Sequence, residues 1–478
     1  MTNSSVYKWT AIDRLLNTVM TFGGNILMAN LLDPSDFGLL AMVAVFTAIA
    51  QNISGCGMCD GLIHKSSPTA RDYSTVFTVN LLLGLFFSTL FLCCSGLVAQ
   101  FFGHVELRGI MIAIGICFLF QAMCMVQETK MRKDMSFKKL AIVRLSATAS
   151  ALTLGIILVL NGYSYWGLVS TQIFLSVFLW LYYILVSRWL PRLAFYRDSF
   201  REMFGYGIHL MLAYICNQFA QNVNTSVLGK FAPAASAGIY SQAQKLESTP
   251  FGLTEAIFNW PFFSVLSNIT DAAEKIKTAV RMHAAILFVN VSTGCLLFFI
   301  ATAAFNTLYG AKWDVAIPVF RLLLVFGIAQ SMKFYYQTVF KVYGCTKLIR
   351  NLTFAEVALQ VALLFWVYDK GVMAIALSQV IPALLAVTAH VIVYRVYVRQ
   401  TFGAYFKSAF LPFILPVLTL VASWLISTTF TAYLPAWVNL IVEGLIFGSI
   451  LILVNERFKP AYYMAVREVV INKFSSHR

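Results

Sequence analysis

Roughly fourteen apolar segments follow one another along this chain, and nearly every Lys and Arg falls in every second gap between them. A helix that crosses the hydrocarbon core of a bilayer needs about 20 mainly apolar residues. Segments of that length are read near 11–32, 37–59, 74–102, 107–130, 140–160, 165–187, 204–231, 236–263, 283–309, 315–340, 348–367, 372–396, 405–429 and 434–455. With 59% hydrophobic and only 12% charged residues, the chain has too little polar surface to coat a water-soluble globule. The expected fold class is an all-α polytopic membrane protein. The short alternating strands of a membrane β-barrel are missing.

Placing the N-terminus in the cytoplasm sorts the basic residues by side. Of the 35 Lys and Arg, 28 fall on the inner side, from Lys8 and Arg14 to Lys473 and Arg478. The outer gaps hold Arg108, Lys230, Lys312 and Lys370. A positive-inside bias of this size predicts both termini in the cytoplasm. It also accounts for the formal charge of +15: the charges are scattered singly among short loops, so anionic lipid headgroups rather than nucleic acid are the expected partner. Met1 to Thr10 is polar and no small-residue cleavage site follows the first segment, so that segment is expected to remain as a helix.

Most cysteines, Cys93, Cys94, Cys117, Cys124, Cys216 and Cys295 among them, lie inside apolar segments and read as structural thiols. Cys56 and Cys59 form a CxxC with no second pair, so no metal site and no cofactor is expected. The gaps are too short for a soluble domain, and no GxxxxGK[ST], HExxH or GxSxG occurs. The expectation is a protein that is not an enzyme.

Internal repetition divides the chain. Ala29 to Met42 (ANLLDPSDFGLLAM) parallels Leu228 to Ala243 (LGKFAPAASAGIYSQA), the second copy carrying one extra residue between Pro and Gly. Gly162 to Gln172 parallels Gly371 to Gln379, and Gln127 to Leu140 parallels Gln337 to Leu348. Six segments per half is an even number, so the repeats are expected to be parallel, related by a pseudo-two-fold axis along the membrane normal. The predicted division is 1–195 and 196–400 for the two six-helix halves, 401–456 for two additional helices and 457–478 for a basic cytoplasmic tail.

Two such halves would leave a cleft. Asn17, Thr21 and Asn25 stand four apart in the first segment, and Asn217, Gln221 and Asn224 share a face of the seventh. They either line a hydrated cavity or hydrogen-bond neighbouring helices. Three cations fall inside the apolar segments: Lys245, Arg321 and Lys333. Each costs about 3 kcal/mol at mid-membrane unless it snorkels or is paired. With Arg14 and Arg144 nearer the inner side, they read as a path for a phosphate-bearing substrate. The carboxylates Glu356, Glu255 and Asp13 are candidates for ion coupling or pairing, and Glu443 for a structural contact. Pro250 and Pro261, then Pro412 and Pro416, interrupt the eighth and thirteenth segments and are expected to kink them.

The stretch Leu31 to Lys65 followed by DYSTVFTVN (Asp72 to Asn80) resembles the polysaccharide transporters of the multidrug/oligosaccharidyl-lipid/polysaccharide (MOP) exporter superfamily. It is most like the Wzx-type, colanic-acid-exporter-like lipopolysaccharide flippases. AGIYSQAQKL (Ala237 to Leu246) and LYGAKWDVAIPVFRLL (Leu308 to Leu323) are similar to the second half of the same proteins. The resemblance implies a fourteen-helix inner-membrane exporter. It would flip undecaprenyl-pyrophosphate-linked oligosaccharide to the outer leaflet by alternating access through a cationic central cavity, with polysaccharide polymerase machinery as a partner. A lipid II flippase and a drug/cation antiporter of the same superfamily stay open, as does a membrane saccharide polymerase or ligase.

Overall fold

The computed structural model describes residues 3–55, 57–65, 67–399, 401–430, 434–460, 462–464 and 467. The described residues form fifteen α-helices: α1 (Asn3–Leu31), α2 (Pro34–Gly55), α3 (Met58–His64), α4 (Ala70–Phe102), α5 (Glu106–Lys133), α6 (Phe137–Leu160), α7 (Tyr165–Ser187), α8 (Arg197–Phe231), α9 (Ala234–Asn268), α10 (Ala272–Leu308), α11 (Ala316–Val342), α12 (Thr346–Val367), α13 (Val372–Tyr397), α14 (Phe402–Phe430) and α15 (Ala436–Phe458). Every helix except the seven-residue α3 matches one segment read from the sequence. Eleven are long and apolar enough to cross a membrane. The other three long helices, α1, α8 and α9, carry most of the polar candidates named above.

Boundaries moved where local chemistry overrides hydropathy. Hydropathy carries the second segment through to 59, but α2 ends at Gly55, and Gly57 takes a left-handed conformation (φ 62°) before α3. Glycine adopts that conformation at no steric cost. Cys56 lies outside the described residues. Hydropathy starts the ninth segment at 283, whereas α10 starts eleven residues earlier, capped by the Asp271 carboxylate accepting from the Glu274 amide at 2.8 Å. Its first turns are too polar for a hydropathy reading to include, yet a good N-cap still starts the helix.

Packing divides the chain into units Met1–Ser241 and Gln242–Arg478. This division runs through α9, because α8 packs on α2 within the first unit. In that unit α4, α5 and α7 bury a core that includes Phe87, Phe91, Ile110, Phe118 and Val169. In the second, α10 packs on α11, α14 and α15 around Phe299, Tyr335, Tyr336, Phe340 and Tyr394.

The sequence repeats reappear as repeated backbone. Gly38 is the fifth residue of α2 and Gly238 the fifth of α9. The extra residue of the second copy is absorbed because α2 begins on Pro34 itself, whereas α9 begins after Pro233. A Cβ on Gly38 would overlap the Ala234 carbonyl oxygen, and one on Gly238 would overlap that of Pro34. The two motifs therefore seat in each other within the first unit. At the α5–α6 and α11–α12 joints the loop is three residues long and its second residue, Met135 or Gly344, has positive φ. The Ser136 amide donates to Met131 O and the Cys345 amide to Phe340 O, both at 2.9 Å. Gly162 and Gly371, before α7 and α13, share a φ of 86°.

Candidate functional site

In the first unit the polar face of α1 is met by α6. Arg144 Nη1 donates to Asp13 Oδ2 at 3.1 Å, and one turn further along both helices the Thr148 hydroxyl donates to Asn17 Oδ1 at 2.9 Å. Asp13 is buried, with Oδ1 left without a hydrogen-bond partner, and Glu128 of α5 also acts electrostatically on Arg144. A proposed cation path residue and a proposed coupling carboxylate are therefore partners. A second-turn pair on the same seam fixes the register of two parallel-running helices.

The predicted stripe of α1 splits. Thr21 is exposed and donates to the Asn17 carbonyl at 2.7 Å, Arg14 is exposed, and Asn25 is buried. On α8, Asn217 and Gln221 are exposed, whereas Asn224 is fully buried and its amide donates to the Tyr240 hydroxyl at 3.1 Å. Of the two alternatives left open by sequence, interhelical bonding holds for Asn17 and Asn224. Open faces are found at Thr21, Asn217 and Gln221.

In the second unit Lys333 of α11 and Glu356 of α12 form a buried ion pair, Lys333 Nζ standing 2.8 and 2.7 Å from the two carboxylate oxygens. Both side chains are 9% exposed. Each member of a pair this buried supplies the counter-charge of the other. Lys333 also acts electrostatically on His390, which is fully buried on α13.

Arg321 does not join it. Its guanidinium donates to Thr302 Oγ1 at 3.1 Å and to the Phe298 carbonyl at 3.4 Å, and lies 5.0 Å over the Phe298 ring, so it is held against α10. The carboxylate that feels it is Glu443 of α15. Lys245 is exposed on α9 and Glu255 is half-buried nearly three turns on. The three cations thus occupy three different settings: Lys333 paired in the interior, Arg321 braced on a neighbouring helix, and Lys245 exposed on α9.

Two features were not singled out from the sequence. Glu247, two residues after Lys245, is 2% exposed. Its signal was present, a carboxylate inside an apolar segment, but α9 carries polar residues on several faces and only packing shows which is buried. The other is a buried network joining α10, α11, α13 and α14. His283 Nε2 lies 3.0 Å from the Tyr336 hydroxyl, Tyr336 and Tyr405 hydroxyls are 2.7 Å apart, and those of Tyr335 and Tyr394 are 3.1 Å apart. It ties α14 to α10, α11 and α13.

The chain is similar to known proteins along most of its length. It is 23% identical over 439 residues to the lipopolysaccharide biosynthesis protein WzxC of Escherichia coli K12, covering 87% of this chain and 86% of that protein. It is 21% identical to the teichuronic acid biosynthesis protein TuaB of Bacillus subtilis, over 68% of each. Among solved structures it superposes on the lipid II flippase MurJ in an inward closed conformation with a TM-score of 0.71, at 13% identity, covering 96% of this chain and all of that one. It superposes on an inward-facing multidrug resistance MATE transporter of the MOP superfamily with a TM-score of 0.58, at 16% identity over 80% of this chain and 96% of that one. Its fold is therefore the all-helical, polytopic fold of these two solved structures. The family model for polysaccharide biosynthesis proteins matches residues 27–318, more than half of the chain, and the protein belongs to that family.

Proposed function

We propose that the protein flips an undecaprenyl-pyrophosphate-linked oligosaccharide from the cytoplasmic to the outer leaflet of the bacterial inner membrane for surface polysaccharide or lipopolysaccharide assembly, by alternating access. The observation that carries this reading is the exposure of Thr21, Asn217, Gln221 and Lys245 in mid-helix on α1, α8 and α9. Polar groups open to their surroundings at membrane depth require a water-filled face, as a polar cargo does. Family membership supports a role in polysaccharide assembly, and the flippase fold supports movement of a lipid-linked sugar.

In this reading Lys245 and Arg321, with Arg14 and Arg144 toward the entrance, contact the phosphates, and Lys333 is reached only when its pair with Glu356 opens. The basic gaps support an orientation with both termini in the cytoplasm. The protein acts before a polysaccharide polymerase, which receives the flipped repeat unit. The superposition on MurJ supports a second reading, in which the cargo is lipid II.

The test is the sidedness of lipid-linked oligosaccharide after depletion of the protein, read with a lectin that reaches only the outer leaflet. Build-up of shielded lipid is the expected result. Normal outer-leaflet lipid with loss of long polymer would place the protein after flipping, and build-up of lipid II alone would select the second reading.

A further inference from the structure

Glu247 is the most thoroughly buried carboxylate among the described residues of α9. It is 2% exposed, and its Oε2 has no hydrogen-bond partner. Its setting is built for it. A Cβ placed on Gly327 of α11 would overlap Glu247 Oε1 and the ring of Phe251, so the glycine opens the space that the carboxylate fills. One turn on, Phe251 sits between Gly327 and Gly294 of α10, and the Thr254 hydroxyl lies 3.0 Å from Asn290 Oδ1.

The charged groups around it do not neutralise it. At this level α11 presents Gly327, with Arg321 and Lys333 each six residues away, about 9 Å along the axis. The first of these is committed to Thr302 and Phe298, the second to Glu356. α10 presents Asn290 and Gly294. On α9 itself Lys245 is exposed, and the ionisable group that acts on Glu247 is another carboxylate, Glu255. An ionised carboxylate in such a place loses several kcal/mol of solvation with no cation to offset it, and such groups neutralise instead.

A proton added to Oε2 converts the carboxylate to a neutral acid with a hydroxyl that can donate. Backbone geometry provides a reason for that proton to come and go. Pro250 follows three residues later, so the Leu246 carbonyl lacks its helical donor and the turn bearing Glu247 is a point where α9 bends easily. The seats of Glu247 and Phe251 on α10 and α11 are glycines, which hold that turn of the helix by shape.

We propose that Glu247 is a proton-binding site, protonated while seated against Gly327 and released to water when α9 bends away, and that flipping is coupled to proton movement there. The coupling rests on the flippase reading above. The protonation does not.

Two measurements separate them. Infrared difference spectra of the membrane-reconstituted protein, between mildly acidic and mildly alkaline buffer, should show a protonated carboxyl carbonyl band that Glu247→Gln lacks and Gly327→Ala shifts. Superimposable spectra of wild type and Glu247→Gln would overturn the proposal. Should Glu247→Gln fail to insert, an unshifted band in Gly327→Ala does the same.

In proteoliposomes, an undecaprenyl-pyrophosphate probe bearing a fluorescent hexose should cross faster in wild type under an imposed pH gradient. Glu247→Gln should carry it at one rate with or without the gradient. A gradient response retained in Glu247→Gln overturns the coupling. Stimulation by a sodium gradient instead, lost in Glu247→Gln, makes the ligand sodium and overturns the proton. If neither protein moves the probe, the flippase reading fails, and the infrared band alone decides the proton site.

Discussion

Lys333 and Glu356 face each other across α11 and α12 with both carboxylate oxygens within 2.8 Å of the ammonium, in surroundings that leave each side chain 9% exposed. The pair bridges the two helices joined by the three-residue turn that repeats the α5–α6 connection of the first unit, where Arg144 has Asp13 and Glu128 as its carboxylate neighbours instead. α6 and α12 thus each carry a charge answered by a neighbour, the half-buried Arg144 on α6 and the buried Glu356 on α12.

Removing one member of the Lys333–Glu356 pair leaves the other buried and alone. Lys333→Ala and Glu356→Ala should each lower stability by about 3 kcal/mol or more, while the double substitution Lys333→Met with Glu356→Leu should cost far less. Thermal unfolding in detergent micelles checks this. Single and double variants of equal stability would show that the pair contributes no coupling.

The Asp13–Arg144 bridge and the Asn17–Thr148 bond lie on one seam. Asp13→Asn and Arg144→Gln should destabilise non-additively, with a coupling of about 0.5–3 kcal/mol in a double-mutant cycle. Additive losses would separate the two side chains energetically.

Gly38→Ala and Gly238→Ala should each cut the yield of folded protein severely, because the new methyl group meets backbone that cannot move aside. Gly96→Ala on α4, with nothing within 4 Å of its Cβ, is the matched control, and should be neutral or stabilising by up to about 1 kcal/mol. Fluorescence size-exclusion chromatography of tagged variants reads the difference.

Lys245 is exposed, so Lys245→Ala should leave unfolding unchanged while reducing flipping about ten- to a hundredfold, the worth of one charge-assisted contact. Arg321→Ala should reduce flipping similarly. Transport at the wild-type rate in both variants would remove the cationic path.

Outside the membrane-spanning helices, Lys65 lies between Glu202 at 2.8 Å and Asp72 at 3.1 Å. The hydrogen bond to Glu202 chiefly raises the Lys65 ammonium above its ordinary value. A raised cation stabilises the fold while it is charged, and that contribution disappears as pH climbs through the folded value. The joint between α3 and α4 should therefore open to proteases only in strongly alkaline buffer in wild type, but at neutral pH in Lys65→Met.

Segment positions were legible because crossing a bilayer imposes a length and an apolarity on each helix separately, and both can be summed along the chain. The repeats were legible for a related reason. Glycine before α7 and α13, and the Pro and Gly spacing before α2 and α9, record local backbone requirements, and each reappears in the structure as a matching φ or a matching position in its helix. The early start of α10 was missed because its cap is polar and hydropathy cannot see a cap.

The sites were only half legible. Composition named the right residue types, since a charge in an apolar segment needs a reason to be there. It could not assign partners. Asp13 and Arg144 are 131 residues apart in sequence, Lys333 and Arg321 are on one helix yet face different neighbours, and Asn25 and Thr21 are one turn apart with opposite exposure. From sequence alone came the membrane class, the segments and their repetition, all properties of each helix by itself in lipid. Which cation is neutralised, which polar face is open and that Glu247 is buried were decided by tertiary packing. Burial and pairing belong to surfaces formed between helices distant in the chain, and no single helix contains them.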